Sequence, residues 1–443
     1  MAGGTFDKLV GKVRPGTYVN FQSGVQNVVG ISERGTVIVP IENNYGPAGT
    51  FISLSAASPD AERAKLGYSV YDADEGRQML LIREAFKRAS TVLVYILTEG
   101  TKAKATIGTM TATAKYGGSR GNALTVTVAE NPVDGYDVTV HLDGSKVAEY
   151  EGLSTVEDLI AQDCEYITFT GTGNLTEAAG TPLTGGDDAE VENTDVTTFI
   201  DAWEKVKFNT VCFPFTDSSL QAAAKTKVTY MRENMGKGIQ VVMPDVTSDY
   251  EGIIGVANAV EVDGDPLTHA EACAWVAAAS AAASYTQSLT YVEYDGATAV
   301  VDPMTHEEAV DAINKGQFFF SVSEAGTVVV EYDINTLTSF VDGKDKSYRK
   351  NRVIRVFDSF NESLQINFPP NKYDNNTTGW EIMEGIGRTI LRQFEDAGAI
   401  DEVDYDNDFL VDRELSWGDE TFFNVGIKPV DSAEKLYFTV TTR

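Results

Sequence analysis

Helical and strand-like patterns alternate in two parts of the chain, on either side of a middle part with a different pattern. Residues 91–97 form a continuous apolar run, which is typical of a strand buried on both faces of a sheet. Around it we expect helices at 72–89, 196–206 and 218–235, strands at 210–215 and 239–243, and a helix or turn at 249–259. Alternating strands and helices predict a wound α/β sheet with helices on its faces. We therefore expect Leu93 and Val211 to lie in one sheet.

Capping boxes mark the start of two further helices in this α/β part. In a capping box, a Ser or Thr side chain and a Glu or Gln three residues later satisfy each other's backbone N–H groups. Thr268 with Glu271 predicts a long alanine-rich helix, and Thr305 with Glu308 predicts a second helix. Because the alanine-rich helix has small side chains on every face, we expect it to be buried.

The middle of the chain, residues 101–192, is rich in Thr, Gly and Val in alternating order. Alternation predicts strands with one buried face, here at 109–115, 123–129, 136–142 and 166–170. Turn signals separate these strands, and Ser154 with Glu157 predicts a short helix between two of them. We expect a mainly β domain that is inserted into the α/β domain.

The C-terminal part is expected to combine strands with one strongly amphipathic helix. Strands are expected at 353–357 and 364–367, and Thr378 with Glu381 forms a capping box for the helix. The apolar stripe of this helix comprises Ile382, Ile386, Ile390 and Phe394. Gly398 is expected to end it in a left-handed conformation.

Both ends of the chain have the pattern of strands with no following element to cover their edges. Residues 14–21 suggest a turn and a short strand, while 424–430 and 434–440 suggest two strands around a polar turn. A free sheet edge is a hazard that soluble monomers usually blunt or cover, whereas strand addition to another chain makes use of it. We expect terminal arms that pair with a neighbouring subunit through Tyr18, Val19, Phe21, Leu436, Phe438 and Val440.

The predicted fold class is α/β and α+β multidomain: an α/β core with an inserted mainly β domain and a C-terminal α+β domain with extended terminal arms. The 443 residues exceed one ordinary core, so several domains are expected. The expected boundaries are an N-terminal arm at 1–34, the core at 35–100 and 193–341, the inserted β domain at 101–192, the C-terminal domain at 342–434 and a C-terminal arm at 435–443.

The charge balance excludes several classes of partner. The chain has 66 Asp and Glu against 35 Lys and Arg, for a formal charge of -31. Phosphate binding needs clustered cations, so neither nucleic acid nor an anionic membrane surface is an expected partner. No apolar run approaches the roughly 20 residues of a membrane helix, and the N-terminus lacks a signal core. We expect no membrane insertion and synthesis in the cytoplasm, and the family resemblance given below implies assembly in the bacterial cytoplasm.

The residues that usually bind metals or act as nucleophiles are scattered. They are Cys164, Cys212, Cys273, His141, His269 and His306. Widely separated cysteines in odd number argue against a disulfide framework or a zinc site. No Walker loop and no dinucleotide fingerprint is present, so we expect no cofactor.

Two short motifs resemble catalytic or metal sites without their required context. Gly117, Ser119 and Gly121 match the G-x-S-x-G pattern of serine hydrolases, but that elbow needs a strand before it and a helix after it. The acidic run from Asp404 resembles the start of a calcium loop, yet Phe409 stands where the sharp turn needs Gly. We therefore predict a loop between strands and a solvated acidic loop, and no enzyme.

A basic run stands out because the rest of the chain is acidic. It consists of Lys344, Lys346, Arg349, Lys350, Arg352 and Arg355. One interpretation is a solvated face, and the other is a docking patch for an acidic surface on another subunit or protein. In the second interpretation, Arg388 and Arg392 of the C-terminal helix join the run as candidates for facing that acidic surface, which the family resemblance given below identifies as an inner tube.

Several of these segments, in this order, resemble the contractile tail sheath proteins of PBSX-like prophages and R-type bacteriocins. The resemblance rests on residues 14–21, on residues 114–122 entering the β domain, on the alanine-rich helix and on the closing residues 427–442. The family is not catalytic, so no catalytic residue is implied.

The resemblance implies a structural subunit with many copies of itself as partners. In that family, six subunits form a ring, rings stack helically around an inner tail tube, and neighbours exchange terminal strands. Contraction drives the tube through a target envelope. The inserted domain faces outward, and the C-terminal domain meets the tube. Baseplate and tail-terminator proteins are further implied partners, and the product is part of a released phage tail or tail-like particle.

Two alternatives remain open at the level of sequence. A different self-assembling protein, such as a tail tube or surface-layer subunit, needs only the same free strand ends. An acidic hydrolase needs a pair of carboxylates clustered in a deep pocket.

Overall fold

The computed structural model describes residues 34–71 and 77–442, and every structural statement below refers to these residues. The predicted N-terminal arm, with Tyr18, Val19 and Phe21, and the first residues of the helix expected at 72–89 lie outside them. Within the described residues the chain is a mixed α/β protein of several domains, as predicted.

The first described elements build the middle of a large sheet. They are β1 (Thr36–Ile41), β2 (Phe51–Ser55), α1 (Arg63–Leu66), α2 (Leu80–Phe86) and β3 (Thr91–Ile96). β1 runs parallel to β3, and β2 runs antiparallel along the other side of β3. Val37 and Val39 are buried in one core while Ile38 is buried in another. β1 is therefore covered on both faces, which explains its continuous apolar sequence.

The middle of the chain folds into two antiparallel sheets that share one core. Its elements are β4 (Lys104–Ile107), β5 (Met110–Ala114), β6 (Leu124–Glu130), β7 (Tyr136–Leu142), β8 (Ser145–Leu153), α3 (Val156–Ile160), β9 (Ile167–Gly171) and β10 (Ala178–Pro182). The strand orders are β10-β6-β7-β8 and β4-β5-β9, and alternate residues such as Ala112 and Val126 are buried between the sheets. The capping box of α3 lies one residue later than predicted, because Asp158, and not Glu157, reaches the backbone N–H of Thr155 at 2.9 Å.

The α/β pattern then resumes. The elements are α4 (Asn193–Ala202), β11 (Thr210–Cys212), α5 (Ser218–Glu233), β12 (Gln240–Pro244), β13 (Ile253–Val256), β14 (Ala259–Val262), β15 (Asp265–Pro266), α6 (His269–Ala282), β16 (Ala297–Val301), α7 (His306–Asn314), β17 (Gln317–Phe318), β18 (Phe320–Val322) and β19 (Val328–Val330). The expected helix or turn at 249–259 is wrong over β13. This apolar segment pairs with strands on both sides, β12 and β17, and is buried throughout.

One sheet joins the two α/β parts of the sequence. Its strand order is β17-β13-β12-β11-β1-β3-β2. β1 pairs with β3 on one side and with β11 on the other, so Leu93 and Val211 lie in one sheet, as predicted. The antiparallel sheets of residues 104–182 therefore leave from the end of β3 and return to α4 without interrupting the large sheet.

The alanine-rich helix α6 packs against the middle of the large sheet. Thr268 and Glu271 form the predicted capping box, and Ala274, Trp275 and Ala278 are fully buried. The small side chains allow a close approach, since Thr210 Oγ1 on β11 donates a hydrogen bond of 2.7 Å to the carbonyl oxygen of Ala277. The prediction of a buried helix is confirmed.

The C-terminal part contains two long helices and short strand pairs. Its elements are α8 (Asn351–Asn367), α9 (Thr377–Asp396), β20 (Ile400–Asp401), β21 (Phe409–Trp417), β22 (Glu420–Val425) and β23 (Lys428–Pro429). The predicted strands at 353–357 and 364–367 are wrong, because α8 covers both. Val353, Val356 and Phe360 are buried at helical spacing, and this burial overrides their local strand preference.

Helix α9 is confirmed, but its N-cap is not the predicted one. Asn376 caps the helix by accepting a hydrogen bond of 2.9 Å from the backbone N–H of Gly379. Gly398 has the expected left-handed conformation, with φ of 73°. Gly387 lets the helix lie directly on β21, because a Cβ there would stand 2.1 Å from a ring carbon of Phe409.

Candidate assembly surfaces

The G-x-S-x-G motif is not a nucleophile elbow. Ser119 starts a 3₁₀ turn over Ser119–Ala123, which leads into a strand and not into a helix. Its hydroxyl donates a hydrogen bond of 2.8 Å to Asp188, whose other oxygen accepts the Ser119 backbone N–H. The serine thus lies in a loop between β5 and β6, as predicted, and binds the C-terminal end of the inserted β domain.

Arg120, in the same motif, joins the inserted domain to the α/β core. Its guanidinium is almost completely buried and lies 4.3 Å from the ring centroid of Tyr68. Nε donates a hydrogen bond of 2.9 Å to the carbonyl oxygen of Gly67, and both terminal nitrogens bind the carboxylate of Asp143. One guanidinium group therefore binds the α/β core through Nε and the inserted β domain through its two terminal nitrogens.

The other candidate catalytic groups do not come together. Asp404 accepts hydrogen bonds from the backbone N–H of Asp406 and the side chain of Asn407, and these bonds lower its pKa. His269 contacts Asp245 at the start of α6, far in the chain from His141. No group of His, Cys, Asp and Glu among the described residues has the arrangement of a metal site, and no helix there is long and apolar enough to cross a membrane. Cys164, Cys212 and Cys273 are free and buried.

The basic run is not one exposed patch. Arg355 is 0% exposed, Lys350 is 5% exposed and Arg349 is 9% exposed. The interpretation of these three residues as a docking surface for a tube is therefore wrong, since their side chains lie inside the chain that carries them. Lys350 and Arg355 form ion pairs within the chain, whereas Nε and Nη2 of Arg349 are buried without a hydrogen-bond partner among the described residues.

Arg355 pairs with a buried carboxylate at the junction of α8 and the α/β core. Its Nη2 lies 2.6 Å from Asp333 Oδ2, and Asp333 is also 0% exposed. Asp333 further accepts hydrogen bonds from Asn351 Nδ2 and from the backbone N–H of Leu289, both at 2.9 Å. A buried carboxylate needs this full set of partners to be tolerated.

The remaining basic residues differ in exposure. Lys344 pairs with the buried Glu251, and Arg352 donates a hydrogen bond of 2.7 Å to Ser432. Lys346 and Arg392 are exposed and Arg388 is half-buried, with its Nε bound to the carbonyl oxygen of Tyr405. Lys344, Lys346, Arg388 and Arg392 are the more exposed cations of the predicted set, while Arg352 is partly buried.

The C-terminal segment projects from the body of the protein. Residues 430–442 belong to no helix or strand of the described chain. Leu436, Phe438 and Val440 are 65%, 83% and 87% exposed. The segment 434–440 therefore forms no strand within the described chain, and the apolar side chains that suggested a strand are largely exposed.

A second exposed apolar surface lies on the hairpin β21–β22. Among residues 34–71 and 77–442 the two strands pair only with each other, so these residues leave both outer edges open. Leu415, Trp417 and Phe422 on this hairpin are 56%, 76% and 45% exposed. Asn375 fixes the turn by donating hydrogen bonds to the carbonyl oxygens of Gly418 and Glu420. This surface was not predicted from the sequence, because no strand was expected between Gly398 and residue 424.

Sequence profiles of one protein family match consecutive parts of the chain. In chain order their descriptions are "Tail sheath protein Gp18 domain III N-terminal region" for residues 34–97, "Phage tail sheath protein beta-sandwich domain" for 98–190, "Phage tail sheath protein central domain" for 189–336 and "Phage tail sheath C-terminal domain" for 343–443.

Individual proteins resemble the chain over its whole length. The phage-like element PBSX protein XkdK of Bacillus subtilis strain 168 is 36% identical, with 99% of each chain covered. The crystal structure of a sheath tail protein from Desulfitobacterium hafniense is 39% identical, with a TM-score of 0.82 over 96% of this chain and 99% of that chain. The contracted helical sheath of the anti-feeding prophage shares the fold, with 14% identity and a TM-score of 0.53 over 98% of this chain and 100% of that chain.

Proposed function

The chain belongs to the contractile tail sheath family, and from this premise we propose that it polymerises as stacked six-subunit rings around an inner tube and contracts to drive that tube through a target envelope. It acts as a structural subunit and not as an enzyme. Tail tube and surface-layer alternatives lose their support, because the family matches run through the whole chain.

The C-terminal arm, residues 435–443, is the strand that one subunit donates to another. Two observations carry this proposal. The alternating apolar side chains of Leu436, Phe438 and Val440 are exposed, and the hairpin β21–β22 has open edges and exposed apolar side chains at Leu415 and Trp417. An extended segment with one apolar face is suited to adding a strand to such an edge. Neither surface is covered within the described chain.

Strand donation suits a sheath that changes its length. Backbone hydrogen bonds along a donated strand keep subunits connected while the subunits rotate as rigid bodies. Head-to-tail contacts that do not close on themselves build open helical arrays. The N-terminal arm, with Tyr18, Val19 and Phe21, is proposed as a second donated strand on the basis of its sequence alone.

The inner tube is the proposed partner of the C-terminal domain. Lys344, Lys346, Arg388 and Arg392 are the accessible cations of the predicted tube-facing set. Exposed ion pairs contribute about 0.2–1 kcal/mol each and are screened by salt. Many weak contacts along a tail hold the sheath while still allowing it to leave the tube. A baseplate and a tail terminator are the proposed partners at the two ends of the assembled particle.

Substitutions on the two faces of the C-terminal arm test the proposal. The variant Leu436→Ser, Phe438→Ser, Val440→Ser keeps the length of the arm and removes its apolar face. The matched control carries Tyr437→Ser and Thr439→Ser on the opposite face, because successive strand residues point to opposite sides. We expect tubes in electron micrographs of the control and folded monomers of the first variant. Regular tubes of the first variant would contradict strand donation.

A further inference from the structure

The C-terminal segment is partly buried up to Glu434 and exposed from Lys435 onward. The backbone is held as far as Val430, whose N–H donates a hydrogen bond of 2.9 Å to the carbonyl oxygen of Ala399. Ser432 and Glu434 are partly buried, whereas every described residue after them is exposed. We call residues 431–435 the arm root, because side-chain contacts hold them although they belong to no helix or strand.

Glu434 is the central residue of the arm root. One carboxylate oxygen accepts a hydrogen bond of 2.8 Å from Ser288 Oγ, and the other pairs with Lys350 Nζ. The side chains of Glu434 and Lys350 are only 9% and 7% exposed. Lys350 Nζ also lies 4.3 Å from the ring centroid of Tyr332 and 3.8 Å from Asp431. Such an enclosed ion pair is screened by salt far less than an exposed one.

Two further contacts hold the arm root on either side of Glu434. Arg352 Nη1 donates a hydrogen bond of 2.7 Å to Ser432 Oγ. Lys435 Nζ lies 5.6 Å from the ring centroid of Tyr332, on which Lys350 also lies. Lys350 and Arg352, at the start of α8, therefore use their charges on the segment that leads into the arm.

We propose that the enclosed pair of Lys350 and Glu434 is a latch that positions the C-terminal arm, fixing the point and direction from which the donated strand leaves its own subunit. This inference rests on the proposed strand donation. It adds a role for basic residues that the sequence analysis assigned to the tube.

The latch shortens the part of the chain that must find its partner. With the latch closed, residues 436–442 are free, and at about 3.3 Å per residue they span about 23 Å. With the latch open, the last contact that holds the arm root is Arg352–Ser432, so the free segment starts at residue 433 and spans about 33 Å. A longer tether lowers the effective concentration of the strand at its docking site. Each extra residue that must be ordered on docking also weakens docking by roughly tenfold.

The first experiment examines the latch in the monomer. Spin labels are placed on cysteines introduced at Asp342 and Tyr437, both of which are exposed, in the full chain below its assembly concentration. The natural cysteines are buried, so they compete little for the label. We expect a narrow distance distribution by double electron–electron resonance, and a clearly broader one after Glu434→Ala. Equal widths would overturn the latch. Residue 434 lies outside all helices and strands, but its truncation leaves the enclosed Lys350 without its carboxylate. The far-ultraviolet circular dichroism spectrum of the variant is therefore compared with that of the wild type, and the charge exchange below gives a second, independent reading.

The second experiment measures the lowest concentration at which sheaths form, by sedimentation. We expect Glu434→Ala to raise it at least tenfold. The matched control is Glu402→Ala, which removes a glutamate from an exposed ion pair with Lys428, and we expect it to change the concentration less than twofold. An unchanged concentration for Glu434→Ala would overturn the positioning role.

Exchanging the two charges of the latch distinguishes loss of the ion pair from a general loss of stability, and a truncation of the arm tests strand donation separately. Lys350→Glu alone places two carboxylates together, and adding Glu434→Lys restores an opposite pair. We expect the double variant to recover at least half of the assembly lost by the single one, and no recovery would overturn the pairing. If a chain lacking residues 436–443 still polymerises, strand donation fails. The spin-label distances would then still show whether the latch holds the arm root.

Discussion

Replacing Arg355 by Met tests whether the basic run stabilises the junction of α8 and the α/β core. Met has a similar length and no charge, so the variant leaves Asp333 buried at 0% exposure with only Asn351 and the Leu289 backbone as donors. Removing one partner of a buried ion pair costs about 3–5 kcal/mol, because the other charge remains without compensation. We expect the free energy of unfolding to fall by that amount.

The assay is urea denaturation followed by tryptophan fluorescence, since Trp203 and Trp275 are fully buried in the folded chain and become exposed on unfolding. The matched control is Lys315→Met, which removes a cation from an exposed i,i+4 pair with Asp311 and should cost at most about 0.5 kcal/mol. Adding Asp333→Asn to Arg355→Met removes the orphaned charge. It should therefore cost less than Arg355→Met alone, which gives a measurable coupling energy.

A loss below about 1 kcal/mol for Arg355→Met would refute this reasoning, because it would mean that the pair is not desolvated as its burial indicates. The buried pair also determines the effect of reversing several charges of the basic run at once. Reversing Arg349, Arg352 and Arg355 to Glu together would place a carboxylate beside Asp333. We expect that variant to unfold, and not to lose tube binding selectively.

Three further predictions follow from other contacts. Arg120→Ala should loosen the inserted domain from the core, seen as a broader distance distribution between spin labels on the two domains. The control is Lys146→Ala, which removes an exposed ion pair with Glu149 inside the inserted domain. Asp249 has its pKa lowered to about 2 by hydrogen bonds from Ser339 and Thr338 that outweigh its burial. It therefore stabilises the fold above about pH 4 and loses this effect as the pH falls toward 2, so Asp249→Asn should flatten the acid dependence of unfolding. Deleting residues 102–192 should preserve assembly only if Tyr45 and Tyr68, which pack on Tyr116 and Arg120 of the inserted domain, are replaced by polar residues; aggregation of that repaired chain would show that the insertion belongs to the lattice.

Local patterns predicted the large sheet because its strands are apolar on both faces. Residues 91–97 and 210–215 each carry enough consecutive apolar side chains to identify a buried strand without knowing their partners. The capping boxes at Thr268 and Thr305 likewise place helix starts through contacts three residues apart. Such signals depend only on neighbouring residues, so they can be recognised without knowledge of the fold.

The errors came from features that depend on distant residues. The segment 353–357 is rich in β-branched and aromatic residues, and only its packing against α9 and the core makes it helical. The cations of the basic run looked accessible because their partners are far away in sequence. Asp333 precedes Arg355 by 22 residues, and Glu434 follows Lys350 by 84 residues. A run of like charges therefore does not reveal whether its members are solvated or paired.

The most direct test of strand donation is a cryo-electron microscopy map of the polymer formed by the purified chain, with the backbone traced continuously from Val430 to Thr442. We predict that residues 436–442 leave the latched arm root and add a strand to the open edge of β21–β22 in an adjacent subunit. Leu436, Phe438 and Val440 should then be buried against the apolar face of that hairpin. A map in which these residues return to the hairpin of their own subunit, or stay exposed between subunits, would contradict the account.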